Sequence, residues 1–344
     1  MGDTPVRRWS ATLASRYLVT GVVVCATLAV TGCGATTTVY SAATATTAAG
    51  ATTTTQSAAT ATSASGNPHA TATPGRPAGA ATATPVPTAT VYKLKTTMEA
   101  AEAGVAPGNN SPVLEATCPG GYVLAGGGLN ASSHSFHILE DYPVNAETWA
   151  AQIASYASSD MSVILEIQCV QITNQAIQTQ IVQQDVGSIA ANTTVGTQTA
   201  CPFGDVVAGG GLKATNVVTL VTSGPFGSDG WVVSANNPSG ATETYTEYAL
   251  CLKSTGTVAL GASLQVGGGQ SVATGTSSSA TTTTCPNGGV AASGGYAVTV
   301  SGFPSMAPLL NIPTGANTWQ SQLYNSSPAA VTYTVRVECL TISI

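Results

Sequence analysis

"TCPGGYVLAGGGLNA" (117–131), "ACPFGDVVAGGGLKA" (200–214) and "TCPNGGVAASGGYAV" (284–298) are three versions of one stretch, and their spacing decides the fold. The Cys-Pro pairs begin at Cys118, Cys201 and Cys285, which is close to an even period. A self-similarity of this length marks a repeated structural unit. Downstream stand Trp149, Trp231 and Trp319, followed at one fixed interval by Cys169, Cys251 and Cys339. From first cysteine to tryptophan the interval varies and is longest in the third copy. Length variation is therefore confined to the middle of each unit. Shorter shared pieces lie upstream, "GVAPGN" from Gly104, "SIAANT" from Ser188 and "SVATGT" from Ser271. The units run over 91–172, 173–254 and 255–344.

Six of the eight cysteines belong to this frame, two per copy. Six cysteines allow 15 pairings. Repetition favours Cys118–Cys169, Cys201–Cys251 and Cys285–Cys339, because each unit then closes its own bridge. A loop of about 50 residues removes roughly 4 kcal/mol of unfolded-state entropy when closed. Zinc is disfavoured by the absence of a Cys-x-x-Cys pair or of a histidine shared between copies.

The local pattern is β. In "VTYTVRVECL" Val331, Tyr333, Val335, Val337 and Cys339 share one face, and Thr332, Thr334, Arg336 and Glu338 the other. That alternation describes a half-buried antiparallel strand. Val163, Leu165, Ile167 and Cys169 keep the same phase, whereas Glu247 falls on the apolar face of the second copy. "TTMEAAEAG" (96–104) is the one segment that reads as a turn of helix. The expected class is all-β: three tandem repeats of about 83 residues, each a small disulfide-closed sandwich-like domain. The alternative is one pseudo-threefold, β-prism-like assembly.

Gly204 to Gly209 has the G-x-x-x-x-G spacing of a phosphate-binding loop, but Gly210, Gly211 and Leu212 follow where Lys and Ser/Thr are needed. The glycines instead read as sites of a bulge or a close backbone approach. No nucleotide or other cofactor is implied.

The chain starts with a basic stretch (Arg7, Arg8, Arg16), an apolar run from Tyr17 to Val30, and "VTGC". This order is that of a secretion signal, and the run is too short to span a membrane. Val30, Thr31, Gly32 and Cys33 resemble the lipobox of bacterial lipoproteins. The resemblance implies cleavage after residue 32 and a palmitate-bearing, diacylglyceryl Cys33 on the outer face of the cytoplasmic membrane. Residues 33–90 then form a Thr/Ala/Pro-rich linker with almost no large apolar side chains, too poor in buried surface to fold. The series Cys-Pro-x-Gly, Gly-Gly-Gly, Trp and Cys is also similar to repeats in secreted proteins of filamentous Gram-positive and related bacteria, a resemblance that implies no activity.

From Cys33 onward six Lys/Arg face fourteen Asp/Glu, and no basic stripe exists, which argues against nucleic acid as a partner. The tryptophans allow two readings: sugar-stacking platforms, or core residues beside the bridges as in immunoglobulin domains, the second favoured by their constant interval to cysteine. His134, His137, Glu140 and Asp141 are metal-capable and crowded in "SSHSFHILEDY", but the other copies have no counterpart. No G-x-S-x-G elbow or recurrent histidine suggests a triad, and Asp205, Asp229, Glu243 and Glu247 have no acid-pair spacing. The middle loops, about 130–148, 213–230 and 297–318, carry the variable polar residues and are the expected contact regions. The chain thus reads as a non-enzymatic, lipid-anchored surface protein for adhesion, envelope structure or ligand binding, with a cell-wall glycan or another surface protein as partner. The alternatives are a carbohydrate-binding module, or a glycan-processing enzyme with its site in one copy.

Overall fold

The computed structural model describes residues 90–299 and 305–343. Cys33 and the residues expected to form the signal and, apart from residue 90, the linker lie outside the described residues. The described part belongs to one compact unit, Thr82–Ile344, and it is all β, with no helix among the described residues.

The first segment supplies β1 (Leu94–Val105), β2 (Leu114–Thr117), β3 (Val123–Ala131), β4 (Phe136–Pro143), β5 (Thr148–Ser155) and β6 (Met161–Ile172). The second supplies β7 (Ile177–Ile189), β8 (Thr194–Ala200), β9 (Val206–Phe226), β10 (Gly230–Asn236) and β11 (Glu243–Ser254). The third supplies β12 (Ala259–Val266), β13 (Gln270–Val272), β14 (Thr276–Ser277), β15 (Thr281–Thr284), β16 (Val290–Thr299), β17 (Met306–Gly315), β18 (Thr318–Asn325) and β19 (Val331–Ser343).

Within each segment the strands fall into two facing sets. In the first, β1, β6 and β3 pair in that order, and β2, β5 and β4 in that order. The second repeats this with β7, β11 and β9, and with β8, β10 and the far half of β9. The third uses β12, β19 and β16 against β15, β18 and β17. The disulfides Cys118–Cys169, Cys201–Cys251 and Cys285–Cys339 each close one segment, with Cα atoms 5.7, 5.6 and 5.5 Å apart.

The sets are then joined between segments. Strand β4 pairs with β9 at Asp141↔Leu212, β16 with β9 at Tyr296↔Ser223, and β17 with β3 at Leu310↔Asn130. The first segment thus contacts the second, the second the third, and the third the first. Strand pairing thus links the three segments to one another within a single compact unit. One apolar core runs through all three segments, from Val105 to Cys339. A second, smaller cluster gathers Ala125, Ala208 and Ala292 with Val170, Leu252 and Leu340, equivalent residues of the three segments.

The glycine triplets explain how the join is possible. Pairing slips by one residue between Leu124 and Gly126, between Leu250 and Cys251, and between Ala291 and Ser293, leaving Ala125, Ala208 and Ala292 as bulges. The first triplet position (Gly126, Gly209, Ser293) faces another segment: a Cβ on Gly126 would overlap Ser293, and one on Gly209 would lie 2.7 Å from the Ala125 oxygen. The second (Gly127, Gly210, Gly294) lies under the indole of Trp149, Trp231 or Trp319. At the third (Gly128, Gly211, Gly295) a Cβ would overlap the carbonyl oxygen of Asn311, Asp141 or Ser223 in the neighbouring segment. Only glycine allows two sheets to come this close.

The helical reading of 96–104 is corrected, since these residues lie inside β1, paired with β6 along the whole strand. Alanine and glutamate favour helix weakly, and a full-length ladder against the open edge of β6 outweighs that preference.

Candidate functional site

The three tryptophans are 1%, 2% and 0% exposed, so the sugar-platform reading fails for them. Each is the second residue of its strand, β5, β10 or β18, and donates its indole N–H to the residue eight positions earlier. Trp149 Nε1 bonds Asp141 Oδ1 at 2.7 Å, Trp231 Nε1 bonds Ser223 Oγ at 3.2 Å, and Trp319 Nε1 bonds Asn311 Oδ1 at 2.9 Å. The surface beneath each indole is a glycine of the facing sheet. A buried indole needs both a partner for its N–H and room for its face, and each segment supplies both.

The metal-capable cluster separates in the same way. The His134 ring stacks on Tyr324 of the third segment with centroids 3.6 Å apart. His137 packs against Tyr156 at 4.8 Å, with Nδ1 3.3 Å from Thr219 Oγ1. Burial lowers the His137 pKa. Glu140 forms an ion pair with Lys213 at 2.9 Å, and Asp141 turns inward to Trp149. Four side chains take four sets of partners, and no group of three or more His, Cys, Asp or Glu converges among the described residues. As consecutive residues of β4, Glu140 and Asp141 point to opposite sides of its sheet. His134 precedes the strand altogether.

The acids considered for glycoside chemistry are also dispersed. Asp205 pairs with Lys253 at 3.4 Å, and Glu243 Oε1 accepts from Asn216 at 3.1 Å and Ser239 at 3.0 Å. Glu247 is fully buried between the two layers, accepting from the Thr197 hydroxyl and, at 3.2 Å, from the Thr199 N–H. The apolar phase of β11 is therefore kept, with a hydrogen-bonded carboxyl inside it. Burial pushes the Glu247 pKa up to about 7, and that of Asp141 to about 7 against the opposing bond from Trp149. Glu338 rises to about 8, chiefly through burial and secondarily through the charge of Asp229. Glu247, Asp141 and Glu338 are interior groups, whereas Asp229 is exposed and Asp205 lines a hollow at the surface.

Among the described residues, concave surface is found at the Cys-Pro-x-Gly turns. Each turn is closed by a backbone bond: Tyr122 N–H to Pro119 O at 3.1 Å, Asp205 N–H to Pro202 O at 3.0 Å, and Gly289 N–H to Pro286 O at 2.9 Å. Gly121, Gly204 and Gly288 take positive φ values of 87°, 87° and 74°, which fixes the turn. Beside the first two turns a continuous cleft runs between segments one and two. Two hollows of about 400 and about 600 Å³ share Val123, Glu147 and Ile177 along their walls. Tyr122, Gln171 and Asn174 line one end, and Gln178, Gln180, Phe203, Asp205 and Lys253 the other. The corresponding places at the other two junctions hold about 210 and about 310 Å³ and no aromatic residue. The middle loops had been the expected contact regions. This cleft takes Ala146 and Glu147 from the first of those loops and otherwise draws on residues of the structural signature and on the strand that follows Cys169.

No protein-family model matches the sequence, and no curated protein matches it.

Proposed function

We propose that this is an exported, lipid-anchored surface protein whose β head serves binding rather than catalysis. The carrying observation is the order of the first ninety residues: a basic region, a short apolar run, the lipobox-like Val30–Cys33, and a low-complexity tract up to residue 90. As a flexible coil that tract spans about 40 Å on average, enough to lift a head clear of a membrane surface. One acyl chain holds a protein only marginally, so the anchor needs a multiply acylated Cys33.

Two features support binding over chemistry. The histidines and acids crowded in 134–141 each have a structural partner, and the larger of the two adjoining hollows is lined by amides, one exposed ring, Glu147 and the ion-paired Asp205 and Lys253. An adhesive or ligand-capturing role needs a rigid, presented surface, and an interlocked, disulfide-closed head provides one.

Metabolic labelling with a palmitate analogue tests the anchor. Wild-type chain should carry the label and sediment with membranes, and Cys33→Ala should lose both. A Cys33→Ala chain that still carries label would defeat the lipoprotein reading.

A further inference from the structure

Phe203 is fully exposed, at 104% of its reference area, and it is the most exposed large apolar side chain of the described head. It sits at the tip of the second Cys-Pro-x-Gly turn, where the first segment has Gly120 and the third Asn287. The turn does not need it: Gly204 supplies the positive φ, and the Pro202–Asp205 bond closes the loop whatever stands between them. The core does not need it either, since no part of its ring is covered. Leaving a phenylalanine in water forgoes about 2 kcal/mol of burial, and here the fold gains nothing in return.

The position is also held still. Cys201, two residues earlier, is bridged to Cys251, and its N–H bonds the Asp229 carbonyl at 2.7 Å. Asp205, two residues later, pairs with Lys253, and its side chain is only 9% exposed. An aromatic face is thus carried on a rigid mount at the wall of the cleft. Across the floor, β7 exposes Gln178 and Gln180 on one face, two residues apart. Their amides offer donors and acceptors together, as vicinal hydroxyls require. The charged groups along this part of the cleft are Glu147, Asp205 and Lys253, and the last two neutralise each other. The remaining carboxylate disfavours anionic polymers.

We infer that this cleft is a saccharide-binding subsite for a neutral glycan chain, with Phe203 as the stacking platform and Gln178 and Gln180 as hydroxyl partners. A sugar ring presents an apolar C–H face and a polar rim, and an aromatic plane beside a row of amides matches both. The continuity of the cleft past Glu147 to Asn174 suits an extended chain of several sugars. The inference rests on the binding reading of the head, and it specifies the ligand class.

The test uses the full chain in detergent on an array of defined neutral and anionic oligosaccharides, followed by titration with the best neutral hit. Wild type should bind neutral glycans. Phe203→Ala should weaken binding at least tenfold at unchanged melting temperature, while Phe203→Trp should retain it. Gln178→Ala combined with Gln180→Ala should weaken it severalfold. Binding to no neutral glycan, binding only to anionic ones, or a Phe203→Ala chain that binds as wild type would overturn the inference. Palmitate labelling at Cys33 is read separately, so an anchored chain that binds no neutral sugar loses only the subsite.

Discussion

Beneath the buried indole of the first segment stands Asp141, and at the same place in the third stands Asn311. Both accept the tryptophan N–H, at 2.7 and 2.9 Å. The amide does so without ionising, whereas burial raises the aspartate to about 7. The same contrast appears twice more. In mid-strand, Glu247 replaces Leu165 and Val335, all three fully buried. One residue before the second cysteine, Glu338 replaces Gln168 and Leu250, again all fully buried. Each segment therefore carries at least one interior acid where its siblings carry none, and the second adds the buried Glu243 where they have Met161 and Val331. The backbone frame of Cys, Pro, Gly and Trp recurs, and the polarity inside it varies. A buried carboxyl is tolerable when it stays protonated or hydrogen-bonded.

The contrast between frame and interior can be broken in order of expected effect. Gly211→Ala, an overlap with the Asp141 carbonyl in another segment, should prevent folding or cost more than about 4 kcal/mol. A near-wild-type melting temperature would show that the segments are not locked at this point.

Next in size is pH. Asp141, Glu247 and Glu338 have folded pKa values of about 7, 7 and 8, above their unfolded values. The folded state thus holds more protons than the unfolded chain. Stability is full below a pH of about 4, falls as pH rises from there through about 7 to 8, and levels off above, at up to about 1.4 kcal/mol per unit for each acid. Calorimetry at pH 4.5 and 8 should find a melting temperature lower at pH 8. An equal or higher value there contradicts the burial of these acids.

Sibling substitutions sharpen the same point. Asp141→Asn copies the third segment, keeps the acceptor for Trp149, and should flatten the pH slope by about one proton between pH 4 and 7. Glu338→Gln copies the first segment and should act alike up to pH 8. An unchanged slope in either variant would mean that the acid does not carry the shift.

The smallest effect is expected at Trp231→Phe. Its bond to Ser223 is the longest of the three, and the hydroxyl can rotate to another partner, so a loss of about 1–2 kcal/mol is expected beyond the repacking. Trp149→Phe should cost more at pH 8 than at pH 4.5, because it orphans a carboxylate. Equal losses at the two pH values would detach Trp149 from the Asp141 titration.

Phe203 was present in the most legible stretch of the sequence yet carried no signal there. It follows Cys-Pro in a turn whose third position is free, and only its complete exposure at a cleft wall sets it apart. Glu247 shows the reverse. Its apolar phase was visible, but whether that phase was kept depended on Thr197 and Thr199, which belong to β8 and are remote from it in sequence. The helical preference of 96–104 is a local property that long-range pairing overrode.

The sequence by itself determined the periodic features. The bridges follow from the cysteine spacing, the strand at each second cysteine from alternation, and the buried tryptophans from their fixed interval, since all three depend on positions within one unit. Tertiary structure alone decided which strand meets which across units. A strand edge is chemically the same toward any neighbour, so the choice of β4 with β9, β16 with β9 and β17 with β3 rests on the folding of the whole unit. The triple glycines were legible as places of close approach, but what approaches them, a carbonyl from the next segment, exists only once the segments have met.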